Sequence, residues 1–92
     1  MIKHVDITIT GKVQGVGFRY CALDEAIELG LSGVVKNVGK NQIVIAVEGE
    51  VENLKKFLRF CHQGPQGAQI EKVDYTSTET LQDYEEFTIE FE

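Results

Sequence analysis

Ninety-two residues with a net charge of −6 make one small domain, 1–92, with no room for a second core. That charge argues against a nucleic-acid binder, whose surface must be basic, and 42% hydrophobic content with a single proline argues against disorder. No long apolar run or signal-peptide pattern occurs, so the expectation is a soluble cytoplasmic protein, complete as it stands.

Val5, Ile7 and Ile9 alternate with polar residues, which predicts a first strand over 4–10. A glycine-rich stretch follows, and helical spacing begins at Phe18. The predicted helix covers 18–29, with Cys21, Ala22, Ala26 and Leu29 facing inward and Gly30 placed as a left-handed cap. Two further strands are expected over 32–38 and 42–48. Gly39, Lys40 and Asn41 between them supply the positive-φ residues that a hairpin needs. From Val51 onward, Val51, Leu54, Phe57, Leu58 and Cys61 form the apolar stripe of a second helix, which Gly64-Pro65 ends. A fourth strand is predicted over 68–78, with Ile70, Lys72 and Asp74 on one face and Glu71, Val73 and Tyr75 on the other. The last, over 85–91, points Phe87, Ile89 and Phe91 the same way. This order is βαββαβ plus a C-terminal strand. It predicts an α+β, ferredoxin-like sandwich with two helices on one face of an antiparallel sheet.

The stretch Gly11-Lys-Val-Gln-Gly-Val-Gly-Phe-Arg-Tyr20 is the chemically distinctive part of the chain. A glycine-rich turn from strand to helix aims backbone N–H groups at one point, where the helix dipole also favours negative charge. Arg19 adds a permanently charged planar fork that matches phosphate oxygens in pairs. Only Arg19 and Arg59 are arginines, so in an acidic chain this local positive site must do the capturing. The loop is no dinucleotide fingerprint, because Tyr20 occupies the third glycine position, and no Gly-Lys-Ser/Thr follows to make a nucleotide P-loop. By themselves these residues also suit a tight turn with a surface arginine.

Other constellations are missing. Neither cysteine lies in a Cys-x5-Arg loop or a CxxC pair, and Cys21 and Cys61 read as reduced core residues. His4 and His62 stand alone without metal-ligand spacing. Glu79, Asp83, Glu85, Glu86, Glu90 and Glu92 form an acidic, solvated C-terminal stretch.

The segment from Gly11 to Tyr20 resembles the N-terminal signature of acylphosphatases. The resemblance continues through Ala26, Leu29-Gly30-Leu31 with Gly33, and Val35-Lys36-Asn37. It extends on through Glu48-Gly49, Gly64-Pro65 with Ala68, and Phe87 with Ile89. Val34, Lys40-Asn41 and Phe60-Cys61 depart from the family pattern at positions of packing and turn geometry. The resemblance implies the same fold and the hydrolysis of acyl phosphates. It implies a phosphate-binding loop of Gln14, Gly15, Val16, Gly17, Phe18 and Arg19, with Arg19 binding the phosphate and Asn37 orienting the attacking water. No cofactor or metal is implied. The expected partner is a small-molecule acyl phosphate; a nucleic acid or a membrane is not expected, and a monomer is the simplest state.

The scarcity of acid–base groups suits such a substrate. A carboxylate leaving group departs without a general acid, and a loose phosphoryl-transfer transition state needs mainly positioning and charge stabilisation. Two alternatives remain at this level. A non-catalytic anion- or metabolite-binding module needs Arg19 but not Asn37. A single-stranded RNA binder suits the fold but not the charge or the lack of RNP-like aromatics.

Overall fold

The computed structural model describes residues 1–91. Seven elements follow in order: β1 (Ile2–Lys12), α1 (Phe18–Glu28), β2 (Ser32–Val38), β3 (Gln42–Glu50), α2 (Val51–Gln63), β4 (Gln69–Thr78) and β5 (Phe87–Ile89). They form one five-stranded sheet in the order β4-β1-β3-β2-β5, which is the ferredoxin-like arrangement with a strand added at one edge.

The alternation of β1 buries Val5, Ile7 and Ile9 on the face that receives both helices, opposite Val47, Ile45 and Ile43 of β3. From α2, Leu54, Phe57 and Cys61 complete the core; from α1 come Phe18, Ala22 and Ala26, spaced four apart so that they share one side. Cys21 differs from its expected core position. It is half-exposed, because it lies one residue, about 100° of helical rotation, from Ala22. Helix α1 ends as expected. Gly30 is left-handed (φ 69), its N–H donates to Ile27 O (3.0 Å), and Leu31 N–H donates to Ala26 O (2.8 Å). This is a Schellman cap.

Two features of the sheet depart from simple alternation. The register between β1 and β4 shifts between Thr10 and Gly11, leaving Glu71 as one extra residue on β4. Ile70 and Val73 consequently both turn toward the core, while Lys72 and Asp74 are exposed. The expected split of β4 into two faces therefore holds only beyond the bulge. The C-terminal strand is shorter than predicted, and it pairs in parallel with β2 (Gly33 with Phe87, Val35 with Ile89), so the sheet is mixed. Phe87 is buried there, but Phe91 lies past the strand and is exposed.

Candidate active site

The segment between β1 and α1 is pinned at both ends by the buried side chains of Val13 and Phe18. Between them Gly15 (φ 76) and Gly17 (φ 77) are left-handed. A Cβ at either position would meet nothing within 4 Å, so glycine is needed there for its dihedral angles rather than for space. Left-handed residues interleaved in a turn build concavities lined by backbone N–H groups, and here the turn runs straight into a helix N-terminus. Within α1 the N–H of Cys21 bonds back to Gly17 O (3.0 Å), which leaves the earlier N–H groups of the first turn for an external acceptor.

Gln14 has a different part from its neighbours. Its side-chain amide reaches out of the loop and donates to the carbonyls of Val38 (3.4 Å), Gly39 (3.1 Å) and Gln42 (3.0 Å) at the β2–β3 hairpin. A second tie runs from Gly11 N–H to Asn41 O (2.9 Å). The glycine loop and the hairpin are thus clamped together at one end of the sheet. Gln14→Leu keeps the bulk but removes this clamp. It is expected to cost about 1–2 kcal/mol in urea unfolding, since hairpin carbonyls lose a donor.

Asn37 lies on β2 just before that hairpin, paired with Ile43. It is two residues from the fully buried Val35, so both side chains lie on the helix-covered face of the sheet, where α1 packs. Among the described residues its Oδ1 is buried without a hydrogen-bond partner. An orphaned buried amide oxygen costs about 1–3 kcal/mol, so this atom has an unused capacity to accept a hydrogen bond.

Arg19 occupies the first turn of α1 and is half-buried. Among the described residues no carboxylate pairs with it, although Lys36 reaches Glu90 and Lys72 reaches Asp74, each at 3.5 Å. Its guanidinium carbon instead sits 5.1 Å from the centre of the Phe91 ring, which also packs near Tyr20 (6.5 Å between ring centres). This cation–π contact restricts the fork without neutralising it.

The remaining reactive groups are badly placed for this cradle. Burial, reinforced by Glu25, pushes the Cys61 thiol up to about 12, so it stays protonated and inert. Cys21 lines a hollow of about 480 Å³ with Asp24, Glu25, Glu28 and Phe60, an acidic surface that repels anions. Among the described residues no group of three or more His, Cys, Asp and Glu side chains is arranged to hold a metal ion.

The structure therefore brings Arg19, the glycine loop and the strand carrying Asn37 to one end of the molecule, and turns Gln14 to clamping the loop rather than lining it. Sequence reading missed that clamp and the Phe91 contact. The first is a side-chain bond to a distant hairpin and the second joins α1 to a residue beyond β5, so neither leaves a local signal.

Comparison with known proteins identifies the family and the fold. The acylphosphatase family model matches residues 5–89. The chain is 47% identical over 74 residues to an acylphosphatase of a Nocardioides species, spanning 80% of this chain and 75% of that one. The crystal structure of acylphosphatase from Bacillus subtilis matches with a TM-score of 0.91 at 31% identity, covering 97% of this chain and 98% of the other. The structure of an acylphosphatase from Coxiella burnetii gives 0.92 at 29% identity, covering 97% of this chain and 93% of the other. With the predicted fold present and nearly the whole length matched, the chain belongs to the acylphosphatase family.

Proposed function

We propose that the protein hydrolyses acyl phosphates to a carboxylate and inorganic phosphate at the cradle formed by the glycine loop and Arg19. Family membership supports the reaction; the observation that carries the assignment of roles is the unpartnered Oδ1 of Asn37 on the face that α1 covers. The backbone N–H groups of Gly15, Val16, Gly17, Phe18 and Arg19 and the guanidinium hold the phosphoryl oxygens. Asn37 Oδ1 accepts a hydrogen bond from water, which leaves the water's lone pairs free for attack on phosphorus. The new P–O bond forms as the bond to the acyl oxygen breaks, and the electron pair leaves with the carboxylate. The water's proton passes to a phosphoryl oxygen, because the cradle presents no general base. No step calls for a metal or an organic cofactor.

The test is hydrolysis of benzoyl phosphate by the purified chain in the presence of EDTA. Turnover that survives the chelator is the expected result. Phosphate binding without turnover would instead identify an anion-binding module, which has no need of Asn37. Loss of turnover on replacing an Asp, Glu or His, with phosphate binding intact, would overturn substrate-assisted proton transfer.

We also propose a monomeric, cytoplasmic protein that does not engage nucleic acid. The net charge of −6 and two free cysteines support that reading. No helix among the described residues is long and apolar enough to cross a membrane.

A further inference from the structure

The sheet face turned away from the helices carries a buried ionic cluster that the cradle does not use. His4 and Asp6 lie on that face of β1, opposite in direction to Val5 and Ile7, and Glu48 of β3 stands in register with His4. On an uncovered sheet these side chains would be wet. Instead His4 and Glu48 are each only 4% exposed, because the segment joining β4 to β5, residues 79–86, lies over them.

The contacts are specific. His4 Nδ1 is 2.7 Å from Glu48 Oε2, and its Nε2 is 2.9 Å from Asp6 Oδ1. An ionised carboxylate only accepts, so both ring nitrogens must donate, and only the imidazolium does that. A neutral ring would turn one lone pair toward a carboxylate oxygen. Glu48 also accepts the backbone N–H groups of Gln82 (2.6 Å) and Asp83 (3.1 Å). Asp83 adopts a left-handed φ of 59 at that turn. Tyr84 then stacks against the imidazole, with ring centres 6.4 Å apart. Just downstream, Gly33 N–H donates to Glu86 O (3.0 Å) and Glu90 N–H donates to Val35 O (2.9 Å), which joins the end of the segment to β2.

We propose that His4 and Glu48 form a pH-sensitive latch that fastens segment 79–86, and through it β5, to the open face of the sheet. The latch does not rest on the catalytic roles assigned above. His4 is faced by Asp6 from its own strand, Glu48 from β3 and Tyr84 from the strap, while β4 contributes the uncharged Thr78 beside it. Glu48 is faced by His4, the strap around Asp83 and Tyr84, and the uncharged Ser32 of β2. Glu90 adds negative charge near Tyr84. No lysine or arginine pairs with Glu48 or Asp6 among the described residues, so the imidazolium is the cation of the cluster.

The two groups set opposite limits. Burial opposes the charge on His4, but its bonds to Asp6 and Glu48 outweigh that and raise its pKa above 6.5. Burial likewise opposes ionisation of Glu48, but the Gln82 N–H, His4 and the Asp83 N–H together lower its pKa below 4.5. The His4 contribution is complete below 6.5 and is lost as pH rises through the raised value of the folded state. The Glu48 contribution is complete above 4.5 and is lost as pH falls through the lowered value. The latch is closed between these limits, and His4 sets the alkaline one.

Amide hydrogen exchange by NMR on the full chain, from about pH 5 to about pH 9 and corrected for intrinsic base catalysis, tests this. The Gln82 and Asp83 amides should lose protection by at least about tenfold as the His4 ring signal titrates, while amides in the centre of the β1–β3 pair keep theirs. His4→Gln removes one of the two imidazole signals, which assigns it, and should abolish the step. Glu48→Gln should leave the strap amides unprotected at every pH. Strap protection that stays flat across the His4 titration would overturn the proposal, as would a folded Glu48→Gln variant whose strap is protected as in the wild type. If Glu48→Gln does not fold, the wild-type titration and His4→Gln decide the matter alone.

Discussion

Arg19→Gln is expected to lower kcat/KM for benzoyl phosphate by about 10³-fold or more, because an arginine that stabilises a phosphoryl-transfer transition state typically contributes about 10³–10⁵. The loss should appear in binding as well as in turnover: inorganic phosphate should cease to inhibit, since the guanidinium is the side-chain cation of the proposed cradle. Stability should barely move. Arg19 is half-buried, has no carboxylate partner among the described residues, and loses only a cation–π contact with Phe91 worth about 0.5–1 kcal/mol. Arg19→Lys should restore little activity, because an ammonium is a point charge without the paired donors of the fork. Steady-state kinetics beside a urea melt checks all three statements. An Arg19→Gln enzyme within tenfold of wild type would remove Arg19 from the site.

Asn37→Ala should act differently. Removing a single positioned contact to the attacking water costs about 10²–10³ in kcat, or about 3–4 kcal/mol of barrier. KM and inhibition by phosphate should stay close to wild type, since the phosphate cradle is untouched. The folded protein should lose little stability and can gain some. The substitution deletes a buried oxygen whose missing partner costs about 1–3 kcal/mol, against a small loss of packing. A residue that weakens the fold while raising the rate is what a functional site is expected to contain. Asn37→Ala with full kcat, or with a large fall in stability, would assign the side chain to the hairpin instead. The Arg19 and Asn37 variants thus separate binding from water positioning, and the same phosphate inhibition assay reads both.

The behaviour of Gln14 connects the two. Its amide holds the glycine loop against the hairpin that follows Asn37, so the distance between phosphate and water depends on a residue that itself touches neither in this reading. Phe91 bears on Arg19 in a similar way from the far end of the chain. In the proposed site, where positioning would supply most of the catalysis, such supports would hold the geometry.

The sequence by itself determined what depends on near neighbours. The period of two in Val5-Ile7-Ile9, the stripe of Leu54, Phe57 and Cys61, the Schellman glycine Gly30 and the paired glycines before Arg19 each act over a few residues. They were legible as strand, helix, cap and loop. Their order then left the ferredoxin-like sandwich as the arrangement that buries every apolar face. The tertiary structure decided what depends on distant partners. The bulge at Glu71 arises where β4 meets the end of β1, and it overturns the alternation that β4 shows when read alone. The parallel pairing of β5 depends on β2 offering a free edge on the far side of the sheet. His4 and Glu48 have polar side chains on the face left open by the helices, and only the returning strap buries them. Hydrophobic period is written residue by residue, whereas a hydrogen-bond partner or a covering segment exists only once remote parts of the chain have met.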